Sequence, residues 1–314
     1  MLFAIFGKIM DRLEAMEMLL EVVDLGSFSA AGRKLGVPVS TVSRKISDLE
    51  DTLGARLLVR TTRRLALTDT GMNYAEAARR ILEQVEEAER EAAGEFSIPK
   101  GELTITAPIM FGRLHVLPVV SEFLKLFPQI DIRLLLSDRN VHLVEDHVDM
   151  ATRIGSLPDS GLVATRLGRM RTVVCASPML LARHARPRRP EDLRALPCVT
   201  FDTPLPSPNW QFREPGSGAV IQVGIKPRLA VTSSDATLAA ALDCAGVARL
   251  LHYQAAEALA EGRLEILLEE FEPEPAPVHI LHAARGQMPL KLRRFLDFAT
   301  PKLRARLERL SSGG

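Results

Sequence analysis

Between Ser29 and Ala93 the apolar positions recur at helical spacing. Val42, Ile46, Leu49 and Leu53 follow one another at intervals of four, three and four, which predicts a helix from near Ser40 to about Leu53. One stripe of that helix faces a core, while Ser40, Thr41, Ser43, Arg44 and Lys45 cluster elsewhere at its N-terminal end. Just upstream, Ser29 to Leu35 predicts a shorter helix whose Ala30, Ala31 and Gly32 permit close packing, and Gly36-Val37-Pro38 forces a turn between the two. Met72 to Ala93 contains no proline or glycine and is rich in Ala and Glu, so a long helix is expected there, with Thr68 or Thr70 as its cap. Along it Ala75, Ala78, Leu82, Val85, Glu89 and Ala92 form a three-four seam. Such a seam suits a partner helix, or a single amphipathic helix lying on its own domain.

The pattern changes after Gly94–Gly101, a short hinge-like segment. Strands are predicted at Leu103–Thr106, Ile130–Leu136 and Met150–Ile154, with helices at Gly112–Phe127 and His142–His147 between them. A second set follows at 172–176, 178–183, 198–201, 228–232, 235–245 and 247–251, before a return near 277–284 and a last helix at about 289–310. Strand-helix alternation of this kind implies a parallel-centred α/β sheet in each of two lobes, with a cleft for small ligands at the strand ends.

Total charge is uninformative, at 40 Lys+Arg against 39 Asp+Glu. Its distribution is not. From Arg33 to Arg64 there are eight basic residues (Arg33, Lys34, Arg44, Lys45, Arg56, Arg60, Arg63, Arg64) against Asp48, Glu50 and Asp51. A local excess beside two short helices and a tight turn suits a phosphate backbone, and Ser, Thr and Arg at a helix start can reach base edges in a major groove. The block reads as a winged helix-turn-helix.

Within the α/β region, helix starts offer unpaired amides to an anionic group. Thr106 and Pro108, Ile109, Met110 and Phe111 sit at one strand-to-helix junction, and Ser233-Ser234-Asp235 at another. Thr200-Phe201-Asp202 closes a strand with an aromatic side chain, and Arg153 could meet a negative charge or pair across its lobe. For each of these a cap, a turn or core packing is the local alternative. The chain carries no GxSxG, HExxH, GxxxxGK[ST] or GxGxxG motif, so an enzyme using the cleft lacks a nucleophile-base pair and no cofactor is implied. His142 and His147 bracket Glu145-Asp146, but five residues of helix turn the two imidazoles apart, and no metal site is expected. Cys175, Cys198 and Cys244 are widely spaced and read as small packed hydrophobes rather than a thiol sensor.

The first of these blocks resembles the N-terminal domain of LysR-type transcriptional regulators. The resemblance rests on Met10-Asp11-Arg12-Leu13, Phe28-Ser29-Ala30-Ala31, Val42-Ser43-Arg44-Lys45-Ile46 with Leu49-Glu50, Leu53 to Arg60, and Leu67-Thr68-Asp69-Thr70-Gly71. Further on, Gly101-Glu102-Leu103, Thr106-Ala107-Pro108, Phe111-Gly112-Arg113, Asp138-Arg139, Thr152 to Gly155, Asp159-Ser160 and Ala245 to Ala248 are similar to the family's effector domain, which shares the fold of periplasmic solute-binding proteins. Pro38-Val39, Met110 and His252 depart from the usual residues. The resemblance implies a wing from Arg56 to Leu67 whose Arg60, Arg63 and Arg64 contact DNA, and dimerisation through the long helix, commonly followed by tetramers. It also implies a small-molecule effector between the lobes, an operator with dyad symmetry and a cytoplasmic location.

The expected organisation is a leader or frayed extension at 1–9, a DNA-binding domain at 10–69, a linker helix at 70–93, a hinge at 94–101 and an effector domain at 102–310. Its lobes would comprise about 102–168 with 275–310, and about 169–274. The leader MLFAIFGKI has neither a basic region before its apolar residues nor a small-residue cleavage site, and no run of about eighteen apolar residues suggests a membrane span. A second reading keeps the cleft and assigns the N-terminal domain to protein contacts, making the chain a ligand-binding sensor module.

Overall fold

The computed structural model describes residues 2–60, 65–92, 98–139, 143, 145–158, 161–201, 209–283 and 288–312. The chain divides into two compact units, Met1–Ser97 and Ile98–Gly314.

In the first unit, α1 (Leu2–Leu25), α2 (Phe28–Leu35) and α3 (Val39–Leu53) are followed by the antiparallel pair β1 (Leu58–Arg60) and β2 (Leu65–Leu67) and by α4 (Asp69–Ala92). Ala31, Val42, Ile46 and Leu49 are buried with Leu19, Val22 and Leu57 in one core, as the three-four spacing requires. Ser27 caps α2 by accepting from Ala30 N. Gly36 ends that helix at φ 70°, a left-handed conformation that side chains with a Cβ disfavour. Thr68 is the cap of α4, accepting from Gly71 N at 2.8 Å and donating its hydroxyl to Arg56 O at 2.7 Å. A Cβ on Gly71 would lie 2.0 Å from Leu57 O, so only glycine lets α4 begin this close to the strand. The seam of α4 begins on its own domain. Ala75 and Ala78 are buried against Leu20 and Met16 of α1, and Arg79 pairs with Asp24.

In the second unit, β3 (Gly101–Ala107) leads into a continuous helical stretch: α5 (Ile109–Phe111), a π-helical turn (Gly112–Val116) and α6 (Leu117–Leu126). Strands β4 (Ile130–Leu136), β5 (Met150–Ile154) and β6 (Leu162–Met170) complete the first lobe's outgoing chain. The second lobe holds β7 (Thr172–Ala176), α7 (Pro178–Leu181), β8 (Cys198–Phe201), β9 (Asn209–Arg213), β10 (Val220–Gly224), β11 (Pro227–Val231), α8 (Ser234–Leu242), β12 (Val247–Leu251), α9 (His252–Ala260) and β13 (Glu265–Leu267). The chain then returns through β14 (Ala276–Ala283) and α10 (Leu290–Ser312).

The sheet orders are β4-β3-β5-β14-β6 and β11-β8-β12-β7-β13. Each is parallel over three strands only. The parallel-centred sheets expected from the sequence carry antiparallel strands to one side: β14 runs antiparallel to β5 and β6, and β7 runs antiparallel to β12 and β13. In the first lobe the reason is connectivity: β14 belongs to the returning chain, while the second lobe is built from the single run between the two crossings. Arg171, at the outgoing crossing, binds Glu272, at the return, through Nε at 2.9 Å and Nη2 at 2.8 Å. The hydrogen bonds to Glu272 are the first cause that raises the Arg171 pKa above its ordinary value. Residues 145–147 form a turn in which His147 has φ 54°, not the helix expected there; His142 lies outside the described residues. Cys175 and Cys198 are buried, and burial pushes their thiols up to about 12 and about 11, the behaviour of packed hydrophobes. Cys244 is half-buried and accepts from Ser177 Oγ at 3.0 Å.

Candidate nucleic-acid interface and ligand cleft

Pro38 precedes α3 in an extended conformation and supplies no side-chain cap, so the first amides of the helix keep their donors for an outside acceptor. On the face opposite the buried Val42 and Ile46, Ser40 and Arg44 are exposed, and Thr41 and Ser43 are half-buried. Arg44 makes no ion pair among the described residues. Lys45 differs from the expectation: its ammonium lies 2.8 Å from Glu14 of α1, a position set by α1 packing across α3. Of the wing, Arg63 and Arg64 and the side chain of Arg60 lie outside the described residues.

Glu50 is the residue whose place in this unit the sequence did not disclose. Counted as one of three acids on the distal half of α3, it is in fact buried and accepts from Leu57 N at 2.7 Å and Leu58 N at 3.0 Å, with Arg56 Nη1 at 2.9 Å. Burial raises its carboxyl pKa, and the bonds from Leu58, Leu57 and Arg56 outweigh that and hold it below its ordinary value. The carboxylate thereby fixes the entry of the wing to the reading helix.

Between the lobes of the second unit lies a cavity of about 580 Å³. Four of the predicted ligand residues reach it: Pro108, Arg153, Phe201 and Ser234. The others are committed elsewhere. Thr106 is buried and donates to Leu135 O at 3.0 Å, and Met110 and Phe111 are buried in the first lobe's core. Ser233 caps α8 by accepting from Ala236 N at 3.2 Å, and Thr200 does not line the cavity. Ile109 offers no free amide, because its N–H donates to Asp138 Oδ1 at 2.9 Å. Asp138 Oδ2 accepts from Ser234 N and Ser234 Oγ, each at 3.4 Å, so a carboxylate of the chain itself occupies the start of both helices. Asp202 lies outside the described residues.

The lining residues outside the predicted ligand set are Asp138, noted only as a marker of the family resemblance, and Trp210, Arg249 and Tyr253, with Asn209, Gln211 and Gln254. Tyr253 of α9 sits edge-on to Phe111 at 5.7 Å and to His115 at 5.4 Å, joining a second-lobe helix to the first lobe's core. Arg249 is half-buried on β12, in the apolar run Val247-Ala248-Arg249-Leu250-Leu251. A charge interrupting such a run is the signal that could have found it.

A helix-turn-helix with its reading face open and a two-lobed α/β unit with a lined cleft match known proteins along most of the chain. Residues 13–72 match the family described as bacterial regulatory helix-turn-helix protein, lysR family, and residues 97–304 match the LysR substrate binding domain. The chain belongs to the LysR family of transcriptional regulators. Among its relatives, the probable HTH-type transcriptional regulator LtrA of Klebsiella pneumoniae is 33% identical over 292 residues, covering 92% of this chain and 94% of that protein. The solved structure of CrgA, a LysR-type transcriptional regulator from Neisseria meningitidis, is 33% identical with a TM-score of 0.59, covering 92% of this chain and 98% of that one. The full-length Vibrio cholerae virulence activator AphB is 26% identical with a TM-score of 0.57, covering 91% and 98%.

LysR-type regulators bind DNA and small-molecule effectors and form multimers. As a member, the chain is a transcriptional regulator with a DNA-binding helix-turn-helix domain and an effector-binding domain. No helix among the described residues is long and apolar enough to cross a membrane, and the described residues hold no cluster of His, Cys, Asp and Glu suited to a metal ion.

Proposed function

We propose that this LysR-type regulator inserts the start of α3 into the major groove of an operator with dyad symmetry, as a homodimer or homotetramer in the bacterial cytoplasm, and acts there without catalysing a reaction. Ser40, Thr41, Ser43 and Arg44 read base edges. Arg60, Arg63 and Arg64 of the wing hold the phosphate backbone, and Lys45, paired with Glu14, contributes little charge of its own to the contact. The observation that carries this reading is the division of α3: Val42, Ile46 and Leu49 are buried while Ser40 and Arg44 face solvent beside an uncapped helix start. Dimerisation falls to the part of α4 beyond Ala78, where Ile81 is exposed and Leu82 and Val85 are half-buried. A two-fold pair addresses two half-sites and multiplies the discrimination of one short helix.

The effector enters the cavity between the lobes, touching Pro108, Arg153, Phe201 and Ser234, and alters the relation of the lobes to each other. A polarisation assay of the full chain on DNA flanking its own gene, with competitor duplex and stepped salt, tests the reading. Specific, salt-sensitive binding is expected. Absence of binding to that DNA and to random duplex at low salt would favour a sensor module instead.

A further inference from the structure

Most polar groups of the interlobe cavity already have partners within the chain. Asp138 is held by Ile109 and Ser234; Gln254 accepts from Leu251 N at 2.9 Å and donates to Tyr253 Oη at 3.4 Å. Arg249 differs. Its guanidinium lines the cavity from β12, half-buried, with no hydrogen bond or ion pair among the described residues. Burial lowers its pKa from the ordinary value, and no acid among the described residues raises it. A guanidinium remains charged at neutral pH even so, and a charge taken from water without a counter-ion is costly. Arg153, which also lines the cavity, has an interaction of its own within the chain. Both helix starts, where an anion would otherwise settle, are taken by Asp138. Phe201 and Trp210 stand among the residues that line the cavity.

From this we infer that the effector is a small aromatic carboxylate whose carboxylate group forms a bidentate pair with Arg249 while its ring packs on the side of the cavity lined by Phe201. The inference rests on the cleft being the effector site, as proposed above.

Trp210 is the chain's single tryptophan, so its fluorescence reports on the cavity directly. The probes are benzoate, its neutral isostere benzamide and the cation benzylamine, titrated into the full-length protein. Benzoate is expected to give a saturable change, with benzamide and benzylamine about tenfold weaker or more, the difference expected of a charge-assisted pair over a neutral contact. Arg249→Gln should reduce benzoate affinity by about tenfold and leave benzamide unchanged, while Arg249→Lys, which keeps the charge but loses the fork, falls between. Circular dichroism establishes that the variants fold. If Arg249→Gln does not, benzoate against benzamide on the parent protein still decides.

Benzamide binding as tightly as benzoate, a folded Arg249→Gln that keeps benzoate affinity, preference for benzylamine, or no saturation by any of the three would each overturn the assignment. Equal binding of benzoate and benzamide would leave the cleft a ligand site and remove only the anion. Failure of the DNA assay would instead remove the functional reading beneath it.

Discussion

Asp138, just beyond the end of β4 in the first lobe, accepts from both the backbone N–H and the hydroxyl of Ser234, at the start of α8 in the second, at 3.4 Å each. Its other oxygen takes the Ile109 N–H at 2.9 Å, so one carboxylate serves a helix start in each lobe and links them across the mouth of the cavity. Asp138→Ala removes the cap of one helix, the negative charge at both starts and the interlobe link together. The loss expected is about 1–2 kcal/mol of stability in the second unit, with Asp138→Asn losing less because its amide oxygen still accepts. Urea unfolding followed by Trp210 fluorescence measures it. An unchanged midpoint in Asp138→Ala would show that the link carries no free energy.

Glu50→Gln tests the joint between reading helix and wing. The amide keeps one acceptor for two backbone N–H groups and gives up the pair with Arg56, so a loss of about 1–3 kcal/mol is expected at neutral pH. The sign of the pH dependence follows from the lowered folded pKa. The stabilisation is present above the unfolded carboxyl pKa and disappears as pH falls through the lower, folded one. The gap between parent and Glu50→Gln should therefore close on acidification. Helical circular dichroism of a fragment ending within α4 would follow it, and a gap that stays constant into the acid range would remove the carboxylate as its cause.

Arg44→Ala addresses specificity. Arg44 is exposed on α3 and has no ion pair among the described residues, so its removal costs the fold little. On DNA it should cost about 1–3 kcal/mol on the preferred site and much less on random duplex, narrowing the ratio between them. Competition binding at fixed salt measures that ratio. Equal losses on both DNAs would make Arg44 a phosphate contact instead.

The contrast between the units shows what kinds of information a sequence carries. The three-four spacing of Val42, Ile46, Leu49 and Leu53 marked α3 within a residue of its start, because a half-buried helix writes its period into the chain. Strands buried on both faces were also legible, and 150–154, 172–176, 198–201 and 247–251 fall where the apolar runs place them. β6 was not: it is an edge strand with Arg166 and Arg169 on it, and β9 and β10 form a ribbon outside the main sheets. For the cleft, Pro108, Arg153, Phe201 and Ser234 were found from strand and helix ends. Thr106 and Ser233 have the right residue type in the right places, yet their hydroxyls serve Leu135 and Ala236. Whether a hydroxyl caps its own helix or faces a ligand depends on a rotamer and on distant segments. Asp138, 96 residues before Ser234, is such a segment.

His115 gives the second unit a pH dependence of its own. It lies between Phe111, at 5.0 Å, and Tyr253, at 5.4 Å, and its Nε2 is buried with no partner among the described residues. Burial first, and Arg306 second, pull its pKa from 6.5 down to about 4. Between those values the unfolded chain binds a proton that the folded chain refuses. Stability is therefore full above the unfolded pKa and falls as pH drops through the window, by about 1–3 kcal/mol for this one group. His252 and His279 are also lowered by burial and add slope in the same direction. His115→Phe keeps an aromatic ring against Phe111 and Tyr253 and removes the titration. Trp210 fluorescence in urea, read near neutral pH and near the folded pKa, should show the variant losing less stability than the parent on acidification, while some slope from the other two histidines remains. Parallel pH curves for parent and variant would place the acid sensitivity elsewhere in the unit.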